Sequence, residues 1–399
     1  MKVLVLNAGS SSLKFQLFEI DGWPVVASGN ISRIGEDDAL LNFRWQDESG
    51  QTQTLDEHHP IDSHHTALER IVAHLRDTGA LADLAELKAI GHRVVHGGEA
   101  FHLPTLIDDD VIVAIRQMIP LAPLHNPAHL DGILVARELF PGVPEVAVFD
   151  TAFHQTMPRT AYRYAIPDYL YREHQVRRYG FHGTSHAYVG KRAATMLGRS
   201  FERSNLITLH LGNGASATAI RNGSSVDTSM GMTPLEGLVM GSRCGDIDPA
   251  VVFYLAKHLG LDNQQIDDML NRQSGLLGIC GLNDMREIHR MIENGDNKAE
   301  LALGMSCHRL KKYIGAYTAV LGEVHAVVFT GGIGENDAET RARACGGLER
   351  MGIVLDEAAN RSSARGERMI STADSPVKVL VIPTNEELEI AQQTVEAVG

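Results

Sequence analysis

The hydrophobic and polar positions of this chain change repeatedly between the two-residue period of strands and the period of helices. Apolar residues fill Val3–Leu6, and after the glycine-containing turn Asn7–Ser10 they resume at Leu13–Phe18, which predicts two strands joined by a turn. Helical spacing follows over Ser63–Leu75 and Asp110–Ile119, and the aspartate that opens the second segment is its predicted N-cap. Strands that alternate with helices predict an α/β fold.

A second strand–turn–strand pattern occurs about two hundred residues later. Leu206–Leu209 runs into the glycine-containing turn His210–Ser216, and Ala217–Ile220 follows before another turn at Asn222–Gly223. Two copies of one fold, one in each domain, would explain this repeat. Because hairpins with glycine turns are common, the pattern alone leaves duplication and chance about equally open.

Later segments continue the alternation of strands and helices. Glu145–Phe149 predicts a buried strand that ends at Asp150, and Asp248–Pro249 supplies the N-cap and first-turn proline of a predicted helix, Ala250–Leu259. The residues after Pro383 have helical spacing, with Asn385 as the predicted cap.

The length of 399 residues predicts about two domains, since one hydrophobic core seldom fills so long a chain. The proline- and tyrosine-containing stretch Met157–Tyr171 fits neither period, so the change of domain is predicted near it. We assign residues 1–152 to the first domain and residues 153–384 to the second. The pattern of the final helix, 385–399, does not require it to stay in the second domain, and we assign it to the first.

Composition and charge exclude several classes of protein. The formal net charge of −14 argues against a nucleic-acid partner, which would demand an excess of lysine and arginine. The apolar stretch Leu301–Leu321 is interrupted by basic residues, so no membrane span is predicted. The chain begins with a strand-like run rather than a signal peptide, and its four cysteines form no CxxC pair, which favours a reduced, cytoplasmic protein. These cysteines are Cys244, Cys280, Cys307 and Cys345.

Two glycine-containing segments have the composition of phosphate-binding turns. Asn7–Lys14 combines a glycine, three serines and a lysine at a strand turn, where backbone N–H groups and a cation can hold phosphate. Phe329–Asn336 lies between the strand Ala326–Val328 and the helical run Ala338–Ala344, so it predicts a glycine-rich loop that opens a helix and suits a nucleotide. Neither has P-loop spacing, and a hairpin turn and a tight connection are the alternative interpretations.

Charged residues occur where predicted strands or turns end. Arg93, Asp150 and Arg243 hold such positions, and α/β folds place catalytic side chains there. Two arginines would neutralise two anionic reactants, as phosphoryl transfer onto a carboxylate demands, although each alone could be an ordinary ion pair. His182 precedes a helix predicted to begin near Ser185 and could donate to a developing charge.

Eight segments then run in order over essentially the whole chain: NAGSSSLK, HRVVHGGE, FDTAFHQTMP, YGFHGTSH, HLGNGAS, MGMTPLEGLVMGSRCGDIDP, FTGGIGEN and PTNEE. Together they resemble the acetate kinase family of the sugar kinase, Hsp70 and actin superfamily. The resemblance implies two duplicated actin-like ATPase (ribonuclease H-like) α/β domains that flank an interdomain cleft. It also implies a homodimer, with acid and phosphate bound by the first domain and nucleotide and dimer contacts in the second.

The resemblance also implies a set of site residues. Mg²⁺, with Mn²⁺ as an alternative, would be held by Asn7 and Glu386, and oxygen donors suit such hard cations. The phosphates of ATP would contact Ser10, Ser12, Lys14, His210, Leu211, Gly212, Asn213 and Gly214. The adenosine would be enclosed by Asp284, Met285, Arg286, Gly331, Gly332, Ile333, Gly334, Glu335 and Asn336. The acid would bind Arg93, with its methyl group against Val95, Leu124, Phe181 and Pro234.

The implied reaction is reversible transfer of the ATP γ-phosphoryl group to acetate, directly and in line. His182 and Arg243 would stabilise the transition state, and Asp150 would orient Arg93 or the metal. Three alternatives stay open: a route through a phosphorylated enzyme carboxylate, a propionate or butyrate kinase, and a non-catalytic ATPase-fold module. Val95 favours acetate because a smaller side chain would leave room for a longer acid.

Cys244 departs from the pattern of relatives, which more usually carry a hydroxyl residue after the transition-state arginine. We expect activity to survive this change. Sensitivity to oxidation is expected if Arg243 lowers the pKa of the exposed thiol.

Overall fold

The computed structural model describes residues 1–47, 49–122 and 125–399, and these residues form two compact units. Unit 1 consists of Met1–Phe153 and Asn385–Gly399, and unit 2 of His154–Thr384. The predicted boundary after residue 152 lies one residue from this division. The stretch Met157–Tyr171, near which the change of domain was predicted, lies within unit 2.

The strands of the described chain are β1 (Lys2–Gly9), β2 (Ser12–Glu19), β3 (Val25–Ser32), β4 (Ala39–Gln46), β5 (Thr52–His59), β6 (Leu87–Val94), β7 (Thr105–Leu106), β8 (Glu145–Phe149), β9 (Leu206–Leu211), β10 (Ala215–Arg221), β11 (Ser224–Thr228), β12 (Ala326–Thr330), β13 (Arg368–Met369) and β14 (Lys378–Val381). The α-helices are α1 (His64–Asp77), α2 (Asp109–Gln117), α3 (Asn126–Leu139), α4 (Arg159–Tyr162), α5 (Asp168–His174), α6 (Gly183–Met196), α7 (Ala250–Leu259), α8 (Asn263–Arg272), α9 (Gly275–Cys280), α10 (Met285–Glu293), α11 (Asn297–Leu321), α12 (Gly331–Asn336), α13 (Ala338–Cys345), α14 (Glu357–Arg361) and α15 (Glu386–Val398). No described helix is both long and apolar enough to cross a membrane.

The sheets of the two units repeat one strand order. The order is β5-β4-β3-β2-β1-β6-β8-β7 in unit 1 and β11-β10-β9-β12-β14-β13 in unit 2. Each sheet contains three antiparallel strands, β3-β2-β1 in unit 1 and β11-β10-β9 in unit 2. Two parallel pairings follow, β1-β6-β8 in unit 1 and β9-β12-β14 in unit 2. A short antiparallel strand, β7 or β13, then forms the edge. This shared topology confirms the duplicated α/β fold, so chance is the poorer explanation of the repeated hairpins.

Strand β1 carries apolar side chains on both faces because helices cover both sides of its sheet. Leu4 and Leu6 pack into a core that includes α1 residues, whereas Val3 and Val5 pack against Ile390 of α15. Helix α15 approaches β6 closely at Gly91, where a Cβ atom would lie 2.3 Å from Thr394 Oγ1. The C-terminal helix therefore belongs to the core of unit 1, and its first residue reaches the end of β6.

In unit 2, strand β12 is buried along its whole length and leads directly into α12. Gly331 has φ +77°, and a Cβ atom there would lie 2.7 Å from the carbonyl oxygen of Leu211, so only glycine fits this approach to β9. The prediction of a loop over Gly331–Asn336 was wrong, because these residues form a short helix. Glu335 contributes to it by accepting the backbone N–H of Gly331 at 3.0 Å.

The predicted helix Ala250–Leu259 is confirmed as α7, whereas several caps and the start of α6 differ from their predicted positions by one or two residues. Asp108 rather than Asp110 caps α2, accepting the N–H of Val111 at 2.9 Å. Helix α6 begins at Gly183 rather than near Ser185. Pro249 holds the cap position of α7, and Asp248 accepts the N–H of Ala250 at 2.9 Å. The predicted cap of α15 is confirmed, since Asn385 accepts the N–H of Leu388.

Candidate active site

One cluster of predicted site residues lies at an edge of the unit 1 sheet. Arg93 lies next to the end of β6, and Asp150 follows β8 directly. These strands are parallel neighbours, so their carboxyl ends meet at the same edge. Arg93 Nη2 donates to Asp150 Oδ2 at 3.0 Å, and Arg93 Nε lies 3.6 Å from Oε2 of Glu386, the first residue of α15. Three residues far apart in sequence therefore form one charged cluster.

The electrostatics of this cluster fix the charge of its arginine. Burial alone would lower the pKa of Arg93, but the carboxylates of Asp150, Glu386 and Glu387 outweigh it and raise the pKa. Burial raises the pKa of Glu386 to about 7, with Arg93 acting in the opposite direction and Asp150 in the same direction as burial. The guanidinium is thus a permanent cation between the carboxyl groups of Asp150 and Glu386.

Helix α3 holds the backbone that follows Arg93. The N–H of Val95 donates to His129 Nδ1 at 3.2 Å, and Asn126 exchanges hydrogen bonds with the N–H and carbonyl of His96 at 3.2 and 3.0 Å. Burial, reinforced by the charge of Arg93, lowers the pKa of His129 well below its ordinary value, so its ring is neutral and Nδ1 accepts. Sequence reasoning missed Asn126 and His129, although their spacing of three on one helix face was a signal. Leu124 lies outside the described residues.

The hairpin between β1 and β2 carries the other predicted residues of unit 1. Asn7 lies opposite Lys14 in the strand register, and Gly9 lies opposite Ser12. Ser10 is exposed at the turn. The positive charge of Lys14 reaches Glu386 and acts to lower its pKa. Of these residues, Lys14 lies close enough to Glu386 at the start of α15 to act on its charge, and Asn7 is paired with Lys14.

A second cluster, in unit 2, is built on His182. This residue precedes α6 with φ +57°, a left-handed conformation that is uncommon outside glycine and concentrates at functional sites. Its Nδ1 lies 2.9 Å from Ser216 Oγ, and its ring stacks on His210 with centroids 4.3 Å apart. Strand β10 and the end of β9 thus fix the direction of the imidazole.

His186 completes the support beneath His182. Its Nε2 lies 2.7 Å from Ser216 Oγ, and its Nδ1 lies 2.7 Å from Thr208 Oγ1. Burial, followed by the neighbouring His154, His210 and His182, lowers its pKa well below the ordinary value. A neutral His186 therefore anchors the serine that orients His182. Ser216 and His186 lay within motifs of the sequence, but no pattern assigned them this contact.

Arg243 lies beside the same cluster. A Cβ atom on Gly214 would lie 3.5 Å from Arg243 Nη1 and 3.6 Å from His182 Nε2, so the arginine and the histidine face one glycine of the predicted phosphate turn. Arg243 is half-buried, and burial lowers its pKa. It donates to the carbonyl of Pro234 at 3.4 Å, and no carboxylate of the described residues lies within 4.0 Å of it. The arrangement offers an uncompensated cation and backbone donors to an anion.

Two of the predicted acid-binding residues belong to unit 2, and each is a neighbour of His182 or Arg243. Phe181 is buried and directly precedes His182. Pro234 contacts Arg243 through its carbonyl. Val95, the remaining described member of the predicted methyl site, is buried in unit 1.

A cavity of about 490 Å³ in unit 2 collects eight of the fourteen predicted ATP-binding residues of that unit. Its described wall consists of Gly212, Asn213, Asn283, Asp284, Met285, Arg286, His289, Gly332, Ile333, Asn336 and Asp337. Asp284 caps α10, and its hydrogen bond from Arg286 lowers the pKa of its carboxyl to about 2. Sequence reasoning missed Asn283, His289 and Asp337, the last two of which are paired at 2.8 Å.

The other predicted nucleotide residues lie outside that described wall. They are His210, Leu211, Gly214, Gly331, Gly334 and Glu335. Leu211 lines a small, mainly apolar cavity together with Met285 and Ile333. Gly331 and Glu335 shape α12 through their mutual hydrogen bond. Gly331 and Glu335 therefore support the helix that contributes Gly332, Ile333 and Asn336 to the cavity wall.

Arg243 does not lower the pKa of the Cys244 thiol. Burial raises its pKa, and the cation that acts against this effect is Arg309 rather than Arg243. The Sγ atom lies 3.1 Å from the carbonyl oxygen of Gly245. A protonated, half-buried thiol is a poor nucleophile, so the condition set for oxidation sensitivity is not met.

Comparison with known proteins identifies the family. The model of the Acetokinase family matches residues 2–392. This chain belongs to the acetokinase family. It is 52% identical to the acetate kinase of Syntrophobacter fumaroxidans over 399 residues, which cover 100% of this chain and 97% of that protein.

Two solved structures share the whole fold. The acetate kinase of Porphyromonas gingivalis has a TM-score of 0.93 and 45% identity, covering 100% of both chains. A propionate kinase from Francisella tularensis has a TM-score of 0.92 and 43% identity, covering 99% of both chains. Family membership confirms the prediction of a kinase over a non-catalytic module, and acetate is the better supported acceptor.

Proposed function

We propose that this chain catalyses Mg²⁺-dependent, reversible transfer of the γ-phosphoryl group from ATP to acetate, giving acetyl phosphate and ADP. Arg243 carries the proposal, because a half-buried guanidinium without a described carboxylate partner suits a site where negative charge arrives with the substrate. The test is trapping of acetyl phosphate as its hydroxamate after incubation with ATP and acetate. Absence of hydroxamate from active-site-intact, folded protein would overturn the proposal.

The nucleophile in this reaction is the carboxylate of the acid. It is ionised at neutral pH, so no general base is needed, and positioning supplies much of the rate. One carboxylate oxygen bonds to the γ-phosphorus while the bond from phosphorus to the β–γ bridging oxygen breaks, and ADP leaves with that oxygen. Arg93 binds the acid, and buried Asp150 orients Arg93 through the 3.0 Å hydrogen bond.

The transition state carries its charge on the equatorial oxygens of the transferred phosphoryl group. Arg243 and His182 donate to these oxygens from beside Gly214. Ser216 holds Nδ1 of His182, which leaves Nε2 as the nitrogen directed at that glycine. Because the donors are fixed before the reaction, little reorganisation is needed when charge develops.

Asn7 and Glu386 would hold Mg²⁺, with Mn²⁺ able to replace it. The fit rests on two oxygen donors beside a surplus of carboxylate charge, since Asp150 and Glu387 both act on Glu386. Among the described residues no cluster of three or more His, Cys, Asp or Glu forms a closed metal cage, and Mg²⁺ characteristically keeps waters and substrate phosphates instead. Bound there, the ion would neutralise phosphate charge.

Removal of divalent metal gives a direct test of this assignment. We expect EDTA to abolish acetyl phosphate formation and added Mg²⁺ or Mn²⁺ to restore it. Asn7→Ala should raise the Mg²⁺ concentration needed for half-maximal rate. Full activity in EDTA would contradict a metal-dependent reaction.

Propionate is the second candidate acceptor, favoured by the likeness to the Francisella tularensis propionate kinase. Val95 is buried, and His129 fixes its backbone, so its side chain has little freedom to move aside. Val95→Ala is expected to improve kcat/KM for propionate relative to acetate by about tenfold, within the roughly 1–3 kcal/mol that one methylene allows. Comparison of kcat/KM for acetate, propionate and butyrate checks this. An unchanged ratio would remove Val95 from the specificity site.

A homodimer is proposed through an apolar patch on and beside α7. The patch comprises the exposed residues Ile247, Val251, Phe253, Tyr254 and Leu259. No residue of α7 is buried, and exposed apolar surface of this kind marks association sites. A second copy of the chain is the occupant that the family resemblance implies.

Substitution within the α7 patch tests this assembly. Phe253, at 73% exposure, is the most exposed member, and Phe253→Asp is expected to convert the dimer to a monomer. Light scattering coupled to size exclusion measures the mass. Leu103→Asp, at 72% exposure in unit 1, is the matched control and should leave the dimer intact. Dimerisation of the Phe253 variant would exclude this patch.

A further inference from the structure

Unit 2 contains a second, larger cavity that the proposed reaction does not use. Its volume is about 700 Å³, and Asn336 is the residue that its described wall shares with the nucleotide cavity. Its wall carries Arg341, Arg361, Arg365 and Arg368 against one carboxylate, Glu335. Four positive charges less one negative charge leave a formal charge of +3. In a chain of net charge −14, this concentration of cations is a local exception.

Neighbouring groups leave most of this charge uncompensated. Arg361 pairs with Glu339 and Glu357, but Arg341, Arg365 and Arg368 have no described carboxylate within 4.0 Å. Arg341 donates only to uncharged acceptors in its described contacts, namely Asn360 and the carbonyl of Gly334.

Burial is energetically unfavourable for two of these arginines. Burial lowers the pKa of Arg341 to about 10, and the charge of Arg368 lowers it in the same direction. Arg368 has a buried Nε atom without a hydrogen-bond partner among the described residues. A buried cation without an anionic partner and a buried donor without an acceptor are both unfavourable, and a bound anion would relieve both.

We propose that this cavity, the arginine cavity, binds a small anion that bears a phosphate group. Guanidinium groups match phosphate oxygens in a forked geometry, and the hydroxyls of Ser362 and Ser363 lie on the same wall. Ser362 Oγ accepts the N–H of Ala364, which leaves its O–H as a donor. The volume lies within the roughly 300–1,000 Å³ of small-molecule sites.

The hydrogen bonds that each arginine already makes decide which variant tests the proposal. Arg341 and Arg368 donate to the carbonyls of Gly334 and Glu335 at the end of α12, so replacing either also disturbs that helix. Arg365 is exposed and has no described hydrogen bond, which makes Arg365→Ala the conservative probe. Arg350→Ala removes another exposed arginine of unit 2 and serves as the matched control.

The test is calorimetric titration of the full chain with inorganic phosphate and with pyrophosphate. A non-hydrolysable ATP analogue, Mg²⁺ and acetate are held saturating, so that the proposed catalytic site is filled. We expect one remaining phosphate site, weakened about tenfold by Arg365→Ala and further by Arg365→Ala/Arg368→Ala, and unchanged by Arg350→Ala.

Other outcomes would overturn the proposal. These are loss of all binding when the catalytic site is filled, equal affinity in wild type and Arg365→Ala, or equal weakening by Arg350→Ala. If the double variant fails to fold, Arg365→Ala alone decides. Acetyl phosphate formation by Arg365→Ala is expected to match wild type, so failure of this proposal is distinguishable from failure of the proposed function.

Discussion

Replacement of Arg243 by alanine is expected to lower kcat by about 10³-fold or more while changing the KM for ATP by less than tenfold. The guanidinium has no described carboxylate partner in the ground state and lies beside Gly214 with His182, so its main partner is charge that develops during transfer. Steady-state kinetics with varied ATP at saturating acetate separate the two constants.

Two matched variants sharpen this expectation. Arg286→Ala removes an exposed arginine of the nucleotide cavity that already pairs with Asp284, so it should change the KM for ATP more than kcat. Arg243→Lys keeps a positive charge but loses the paired donors of the guanidinium, so its kcat should lie between those of Arg243→Ala and the wild type. A large rise in the KM for ATP with unchanged kcat in Arg243→Ala would instead make Arg243 a ground-state binding residue.

Replacement of Arg93 by alanine is expected to lower kcat/KM for acetate by about 10³-fold, because the acid loses its cation and its alignment. The change also leaves buried Asp150 without its 3.0 Å partner, which costs about 3–5 kcal/mol of stability when a buried pair is broken. Kinetics with varied acetate, combined with thermal unfolding, distinguish the two effects.

The double variant Arg93→Ala/Asp150→Ala provides the control for stability. It also removes the buried carboxylate that has lost Arg93, so it should regain part of the lost stability without regaining activity. Asp150→Asn tests the orienting role directly, because an amide oxygen can still accept from Arg93 but cannot exchange a proton. We expect it to retain more activity than Asp150→Ala. Equal inactivity of both would indicate that the carboxylate itself takes part in the reaction.

Periodicity predicted the elements with a strong pattern and missed those set by close contact. The apolar run Val3–Leu6 was assigned correctly as a strand, and it is apolar throughout because both faces of β1 are covered. The start of α2 is ambiguous in the sequence, since Asp108, Asp109 and Asp110 can each act as the N-cap of a helix. Packing selects Asp108. Gly331–Asn336 has the composition of a loop, yet Gly331 fits against Leu211 and allows a helix there.

In the candidate site, too, tertiary contacts determine what the sequence pattern could not predict. Arg93, Asp150 and Glu386 are separated widely in sequence, and the parallel register of β6 and β8 together with the packing of α15 brings them together. Only the resemblance to a family could name them as a set. The spacing of Asn126 and His129 indicates a shared helix face, but no local pattern identifies the backbone of Val95 and His96 as their partner.

Cys244 illustrates why sequence neighbours mislead about electrostatics. Arg243 precedes it in the chain, yet the cation that acts on its thiol is Arg309 of α11. Burial of the thiol then decides the direction of the pKa shift.

The most direct test of the account uses ATP that is chiral at the γ-phosphorus, incubated with acetate and Mg²⁺. Direct in-line transfer onto acetate predicts acetyl phosphate with inverted configuration at phosphorus. Retention would indicate two transfers through a phosphorylated enzyme group, and absence of acetyl phosphate would contradict the proposed kinase activity itself.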